Sequence, residues 1–320
     1  MNQDEILKII GPVNYPVGIG GYDSDNYDGD CQIYNLVLFD GKDSFDEILE
    51  NDSIFFRISH GKLSEYDSQI LLSYSNLEII HDEQWDLKQL LTKIKEKRDI
   101  LFSSSTKNSL VESQFALSKA KTALETNDPF LSCWIKCAGI SLIDSVLLQN
   151  KIIPNPAHSL SLLRNLKNEK NNQFSEKIIS ETGVERATSS LLTRMLKSSC
   201  GFSDMIENNQ NSKIIEKKAK HMIENSLLSD CYLYLTYQNK NNFYKIKNSL
   251  NLNSEKIHVL KTAFDLTNSS SELQASIDSM SDITNKLLKL NHSNACLLYT
   301  SPSHETRHDL VCRLLLEKKK

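Results

Sequence analysis

Positions 16–40 combine several glycines with a run of carboxylates and lead into an apolar segment. The glycines and acids of this stretch are Gly18, Gly20, Gly21, Asp23, Asp25, Asp28 and Asp30. Glycine lets a backbone approach a ligand closely and turns N–H groups toward anionic oxygens. Carboxylates at the entrance of a strand bind hard cations such as Mg²⁺. The stretch therefore predicts a site for a phosphate-bearing ligand together with a divalent metal.

This order of residues resembles the opening of the nucleotidyltransferase fold of the polymerase β superfamily. In that family a Gly-Gly or Gly-Ser pair precedes an Asp-x-Asp, a third acid lies on a neighbouring strand, and the acids hold two metal ions. The resemblance implies that Gly20 and Gly21 contact the triphosphate of an NTP. It also implies that Asp28 and Asp30 are the catalytic and metal-binding acids, with Gln32 as a further ligand of Mg²⁺.

Three placements of the acid pair are open. Asp28 and Asp30 are a true Asp-x-Asp pair, but they precede the apolar run. Asp30 and Gln32 stand where the family pattern expects the pair, but a glutamine offers a cation only a carbonyl dipole. The third placement is Ile33 and Asn35, which lie inside the apolar run, but neither of these residues is an acid. A site that lacks one of its acids is expected to bind Mg²⁺ weakly.

The third acid of the family pattern is missing from the next predicted strand. That strand carries Arg57 and Ser59 where an acid is expected, and Glu78 would replace it only if the strand alignment is shifted. Arg57 and His60 would suit a phosphate, although a surface strand explains them equally well. We therefore expect a nucleotidyltransferase with an incomplete metal site, in which Arg57 helps to bind the nucleotide, or a catalytically inactive binding or regulatory protein of the same fold.

Simpler interpretations of the same stretch are also open. The glycines would then form a tight turn, and the acids a solvated loop. A calcium loop is not expected, because the EF-hand spacing and its closing glutamate are absent. A third functional class is a helical scaffold whose α/β part only mediates assembly.

Residues 296–320 are set apart from the rest of the chain. Back-translation of Cys296–Ser301 resembles the end sequence of a library-making transposase, and back-translation of Asp309–Glu317 resembles a sequencing adapter that runs into poly-A. Two matches in consistent order indicate a non-native, adapter-derived tail, which we leave out of fold reasoning. We expect the native carboxyl terminus to be absent, and we give His304 and His308 no functional role.

The composition limits the class of protein. A formal net charge of −4 over 320 residues does not favour general nucleic-acid binding. Cys133 and Cys137 lie one helical turn apart without a second ligand pair, so a zinc site is not expected. The scattered cysteines favour a reducing, cytoplasmic location. We expect no membrane association, because no apolar run is long enough to cross a bilayer and the amino terminus lacks the order of a signal peptide.

Strands and helices alternate over the first 95 residues, which we interpret as a nucleotidyltransferase-like α/β domain. Predicted strands are 32–39, 53–59 and 77–81; predicted helices are 4–10, 44–49 and 68–74. The helix over 44–49 rests on Ser44 as its N-cap and Glu47 three residues later. The end of the sheet pattern predicts a domain break between about Asp82 and Ser103.

The rest of the chain shows helical periodicity. Predicted helices start at Asp86 and cover 110–124, 131–147, 159–166, 186–198, 213–228, 229–250, 254–266 and 271–290. Residues 115–166 resemble the helical domain that follows many nucleotidyltransferase domains, and we predict boundaries of 96–175 for that domain and 176–295 for a further bundle. Trp85 and Trp134 are predicted core aromatics. The predicted fold class is α+β, a small mixed-sheet domain followed by a larger all-α domain.

Overall fold

The structure, a computed structural model, divides into a small mixed sheet with short helices and a long helical part. It describes residues 3–20, 27–28, 33–44, 46–51, 54–166, 173–206, 210–246, 256–266 and 270–298. Within these ranges the last strand ends at His81, and every later element is helical. The chain therefore has the α+β architecture that the sequence predicts.

Six strands make up the described sheet. They are β1 Val17–Ile19, β2 Tyr27–Asp28, β3 Ile33–Leu38, β4 Glu47–Asn51, β5 Ile54–His60 and β6 Glu78–His81. The order across the sheet is β4-β5-β3-β1-β6, and β2 pairs with the start of β3. The central strands β3 and β5 run parallel, and the other pairs are antiparallel. The carboxyl ends of β3 and β5 consequently meet at one edge.

Side chains on a strand alternate between its two faces, and the faces of this sheet differ. One face is apolar along its length, with Leu36 and Leu38 of β3 beside Phe56 and Ile58 of β5. Helix α1, Gln3–Ile10, covers this face with Ile6. The opposite face has a polar centre and meets the helical part of the chain.

Two helices follow the sheet strands as the sequence predicts. Helix α2, Ser68–Tyr74, begins at Asp67, whose carboxylate accepts hydrogen bonds from the backbone N–H groups of Gln69 and Ile70. Helix α3, Asp86–Glu96, packs Leu87 into the core beneath the sheet. This core also contains Leu101 and Leu148, so the first helices of the helical part share it with the sheet.

The remaining helices form a bundle around one central helix. They are α4 Arg98–Glu125, α5 Leu131–Gln149, α6 Ser159–Arg164, α7 Ser175–Thr182, α8 Ser189–Ile206, α9 Asn211–Glu224, α10 Leu228–Ile246, α11 Lys256–Ala263 and α12 Ser270–Leu298, with a 3₁₀ turn at Val184–Arg186 after α7. Helix α5 is long and apolar enough to cross a membrane by length and composition, although the sequence analysis expected no such run. Its most apolar stretch is entirely buried, which makes it the core helix of the bundle.

The two tryptophans have different environments. Trp134 is 8% exposed and makes edge-on ring contacts with Phe115 and Phe243, as predicted for a core aromatic. The same prediction is wrong for Trp85, which is 59% exposed. Trp85 adopts left-handed backbone dihedrals with a φ of 64° directly before α3, and Lys88 lies over its ring. The ring of Trp85 therefore lies at the surface, directly before the first residue of α3.

The predicted helix over 44–49 is also wrong. Residues 47–51 are strand β4, which pairs antiparallel with β5 in a hairpin. The Ser44–Glu47 spacing of a capping box was misleading, because pairing with the neighbouring strand decides the conformation. Strands β1 and β2 and helix α7 were not predicted. Residues 299–320 lie outside the described residues, and of the predicted adapter-derived tail only the end of α12 is described.

Candidate functional site

A short polar strip crosses the centre of the sheet face that meets the helical part. It consists of Asn35 on β3 with Arg57 and Ser59 on β5, where Asn35 and Arg57 are direct partners in the parallel register. Apolar residues close both ends of the strip, Ile33 and Phe55 at one end and Val37 at the other. Asn35 is only 8% exposed. Buried polar residues in mid-strand are unusual, and such positions favour a functional or a specific structural role.

Gly20 lies next to this strip at the end of β1. Its φ is +117°, a backbone conformation that residues with a Cβ rarely adopt. Its N–H donates to the carbonyl oxygen of Asn35 at 2.8 Å, which extends the pairing of β1 with β3 by one residue. This hydrogen bond occupies the Gly20 amide, so a phosphate contact at the turn would have to use the backbone beyond Gly20.

The predicted acids lie where the chain passes from this turn into β3. The backbone of Asp28 belongs to β2 and pairs with Ile33 at the start of β3, two positions before Asn35. Gly21, Asp30 and Gln32 lie outside the described residues. The structure thus brings Gly20, Asp28 and Arg57 to one region of the sheet, and the roles assigned to them stay predictions.

Arg57 connects the strip to helix α9. Its Nη2 donates to Oδ1 of Asn211, the first residue of α9, at 2.9 Å. Ile214 of the same helix packs on the apolar end of the strip, and Lys217 lies 4.7 Å from the centre of the Phe55 ring. At the rim, Lys213 forms a 3.1 Å ion pair with Glu50 of β4. The start of α9 therefore covers one end of the strip.

Two sources of positive potential meet where Arg57 contacts the start of α9. A guanidinium remains charged at any physiological pH. The amino-terminal end of a helix carries partial positive charge, and α9 begins after Gln210 without a side-chain cap. Together they make the end of the strip at Asn211 attractive to an anion and unfavourable for a cation.

The described part of the strip does not fit Mg²⁺. Its side-chain oxygens are an amide and a hydroxyl, and Arg57 would repel a divalent ion. Ser59 already donates to the carbonyl oxygen of Leu36 at 3.2 Å. Glu78, considered above as a substitute acid, is exposed on β6 and is separated from β3 by β1. No cluster of three metal-ligating side chains occurs among the residues that the structure describes.

A second pair of titratable groups lies at the carboxyl ends of β3 and β5. His60 Nδ1 is 2.9 Å from the carboxylate of Asp40, and both side chains are 3% exposed. Burial alone would raise the pKa of Asp40, but hydrogen bonds from Lys42 and His60 lower it overall. Strand alternation places His60 on the face opposite Arg57, so the two residues do not share a site. The pair closes the turn after β3.

Sequence reasoning missed Asn211, which lies 154 positions from Arg57 and joins it only through the fold. No local pattern marks such a partner. Asn35 and Ser59, in contrast, were recognised as the positions that lack the family's acids, and they form the strip with Arg57. A polar residue between apolar neighbours in a predicted strand is the signal that identified them.

Comparison with known proteins gives a limited result. No protein-family model matches the chain, and no curated protein matches it. Among solved structures, a nucleotidyltransferase-like protein from Exiguobacterium sibiricum is similar to it with a TM-score of 0.33 and 10% identity, over 78% of this chain and 87% of that chain. A likeness at this level assigns no role to any residue of the strip.

Proposed function

We propose that the protein binds a nucleoside triphosphate at the polar strip and acts as a binding or regulatory protein of nucleotidyltransferase-like fold. The observation that carries the proposal is the meeting of the Arg57 guanidinium with the start of α9, beside the glycine turn at Gly20. A guanidinium and a helix amino terminus both favour phosphate oxygens. The sequence resemblance of residues 16–40 supports an NTP as the phosphate-bearing ligand.

Each part of the site has a task in this proposal. Arg57 would bind a phosphate oxygen in place of, or in addition to, its present partner Asn211. The turn at Gly20 lets the ligand approach the backbone closely, since no Cβ projects there. Asn35 and Ser59 supply short polar side chains at the same level of the sheet. In this proposal, these residues recognise and orient the bound nucleotide.

Catalysis of nucleotidyl transfer is not part of the proposal. The described strip lacks the carboxylates that hold two metal ions in the resembling family, and it places a cation where the third acid is expected. Asp28 and Asp30 would have to supply the entire anionic ligand set from the segment before β3. A residual affinity of that segment for Mg²⁺ is compatible with binding, whereas transfer at ordinary enzymatic rates is not expected.

The test is a calorimetric titration of ATP and GTP into the wild type and an Arg57→Gln variant. Charge-assisted hydrogen bonds contribute about 1.5–3 kcal/mol, so we expect the substitution to weaken binding roughly 10- to 100-fold. Lys213→Gln is the matched control, because it removes one positive charge from the same region at an exposed ion pair. The control should change affinity by less than about 3-fold.

The alternative function is that of a helical scaffold. It is favoured by the contacts of α9 with the sheet, where Arg57, Phe55 and Glu50 all have partners on the helix. In a scaffold, Arg57 would only join the sheet to the bundle. Absence of ATP and GTP binding at millimolar concentration, or equal binding by Arg57→Gln and the wild type, would support the scaffold and contradict the proposal.

A further inference from the structure

A pocket in the helical part lies far along the chain from the polar strip and holds a buried lysine in its wall. It has a volume of about 330 Å³ and is formed by α5, the end of α7 with the following turn, and the start of α12. Its lining includes Ser132, Lys136, Thr182, Arg186, Glu272 and Ser276. This volume falls within the range of small-ligand sites.

Lys136 is held in this wall by neutral partners. Its Nζ donates to the carbonyl oxygen of Thr182 and to the hydroxyl of Tyr232, both at 2.6 Å. The residue is only 6% exposed. In the described part of the chain, no carboxylate forms a direct ion pair with its ammonium group.

A hydrogen-bonded chain leads from Lys136 to a carboxylate. The Tyr232 hydroxyl donates to Oδ2 of Asp265 at 2.9 Å, and Arg186 pairs with the same oxygen at 2.7 Å. Asp265 adopts left-handed dihedrals with a φ of 50°. Such backbone strain is found preferentially at sites where a side chain must be held in place. Tyr232 thus connects the amine to an acid that the ammonium does not touch.

The surroundings favour the neutral amine. Burial is the largest cause that lowers the pKa of Lys136, and the charge of Arg186 adds to it; against the opposing effects of Asp265, Glu185 and Cys133, the pKa falls to about 7. Lys240 is the informative contrast within the same bundle. Its side chain is also 6% exposed, but its Nζ lies 3.2 Å from a carboxylate oxygen of Glu112. Lys240 thus has a carboxylate partner, which the Nζ of Lys136 lacks in the described part of the chain.

We propose that Lys136 forms a reversible imine with a small uncharged aldehyde that enters this pocket. The other groups of the wall disfavour an anionic ligand, since Glu181, Glu185 and Glu272 also line the pocket and the Arg186 charge is already paired. Ser276 offers a hydroxyl group to a hydroxylated chain. The ligand class is therefore a hydroxyaldehyde.

The reaction balances with the groups present. The Lys136 ammonium passes a proton to the Tyr232 oxygen while Tyr232 passes its own to Asp265, which leaves a lone pair on Nζ. That pair attacks the carbonyl carbon, and the C–O π electrons move to the oxygen, which takes up the proton that reached Asp265. The nitrogen passes its second proton to the same oxygen, which leaves as water while the nitrogen lone pair forms the C=N bond. Ammonium plus aldehyde thus gives protonated imine plus water, without a net oxidation or reduction.

The experiment is reductive trapping on the full-length protein at pH 7. Glycolaldehyde is the probe, cyanoborohydride delivers hydride to the imine carbon, and peptide mass mapping locates the hydroxyethyl groups. The neutral fraction of an amine with a pKa of about 7 exceeds that of an ordinary lysine roughly 1000-fold at this pH. We expect Lys136 to be modified roughly 100-fold faster than Lys240 or the exposed Lys151, because lower basicity offsets part of that gain.

Lys136→Arg is the matched variant, since an arginine keeps donors for Thr182 and Tyr232 but forms no imine. It should abolish the fast-labelled peptide and leave labelling of Lys151 unchanged. The wild-type map decides the question even if this variant does not fold. Labelling of Lys136 no faster than that of Lys240, or only after denaturation, would overturn the proposal.

Discussion

Arg57 of the sheet and Lys136 of the bundle are both cations removed at least partly from solvent, yet they suit opposite chemistry. Arg57 is partly buried at the border between the sheet and α9 and cannot lose its charge, so the ligand that complements it is an anion. Lys136 lies in the wall of a pocket within the bundle, where burial lowers its pKa, and it can release a proton. The type of cation and its degree of burial together determine whether a position favours phosphate binding or nucleophilic chemistry.

Replacement of tryptophans should show the largest difference between the two regions. Trp134→Ala removes a ring packed 4.8 Å from that of Phe243 in the bundle, and we expect a loss of about 3–5 kcal/mol in the free energy of unfolding. Trp85→Ala, at the exposed start of α3, should cost less than about 0.5 kcal/mol. Chemical denaturation of both variants measures the difference. Equal losses would mean that the bundle core is not the main source of stability.

The pH dependence of stability should distinguish Lys136 from an ordinary lysine. Its folded pKa of about 7 lies below the unfolded value, so its contribution is fully present above pH 10.5 and is lost as the pH falls toward 7. Relative to Lys136→Met, the wild type should therefore lose up to about 1.4 kcal/mol per pH unit over this window. Denaturation of both proteins at pH 7, 8, 9 and 10 tests this. A constant difference would show that Lys136 stays protonated when folded.

The border between the sheet and α9 should show the smallest effects. Arg57→Gln removes the hydrogen bond to Asn211 and should destabilise the protein by about 1 kcal/mol. Lys213→Gln removes an exposed ion pair with Glu50 and should cost less than about 0.5 kcal/mol. Thermal unfolding resolves the order of the two variants. If Lys213→Gln lowered the unfolding temperature more than Arg57→Gln, the Lys213–Glu50 ion pair would be the stronger contact between the sheet and α9.

The sequence predicted most elements because their patterns are local. Helix α2 has an acidic cap at Asp67 and a matching apolar period, and the structure gives it the predicted bounds of 68–74. Strand β1 was missed because it has only three residues and contains Gly18. That glycine is closely packed, since a Cβ there would lie 3.2 Å from the Leu77 side chain, which would have to shift slightly. Such a constraint arises only in the folded sheet.

The candidate sites were predictable to different degrees. The polar residues of the strip could be identified from the sequence, but their helix partner Asn211 could not. Lys136 carries one local signal, since it and Asp144 are the two charged residues of the mostly apolar helix α5. Its partners lie 46 and 96 positions away, beyond the reach of any spacing argument. A charged residue in a buried, mostly apolar helix indicates a hydrogen-bonding partner elsewhere in the fold.

The most direct test of the central claim is the Mg²⁺ dependence of NTP binding. Calorimetric titration of ATP into the wild type, with and without Mg²⁺, should give affinities within about 3-fold of each other, because the described strip offers no carboxylate to a cation. A double variant, Gln32→Asp with Ser59→Asp, should make binding depend on Mg²⁺. The account would be contradicted if Mg²⁺ tightened ATP binding sharply in the wild type and Asp30→Asn abolished that gain.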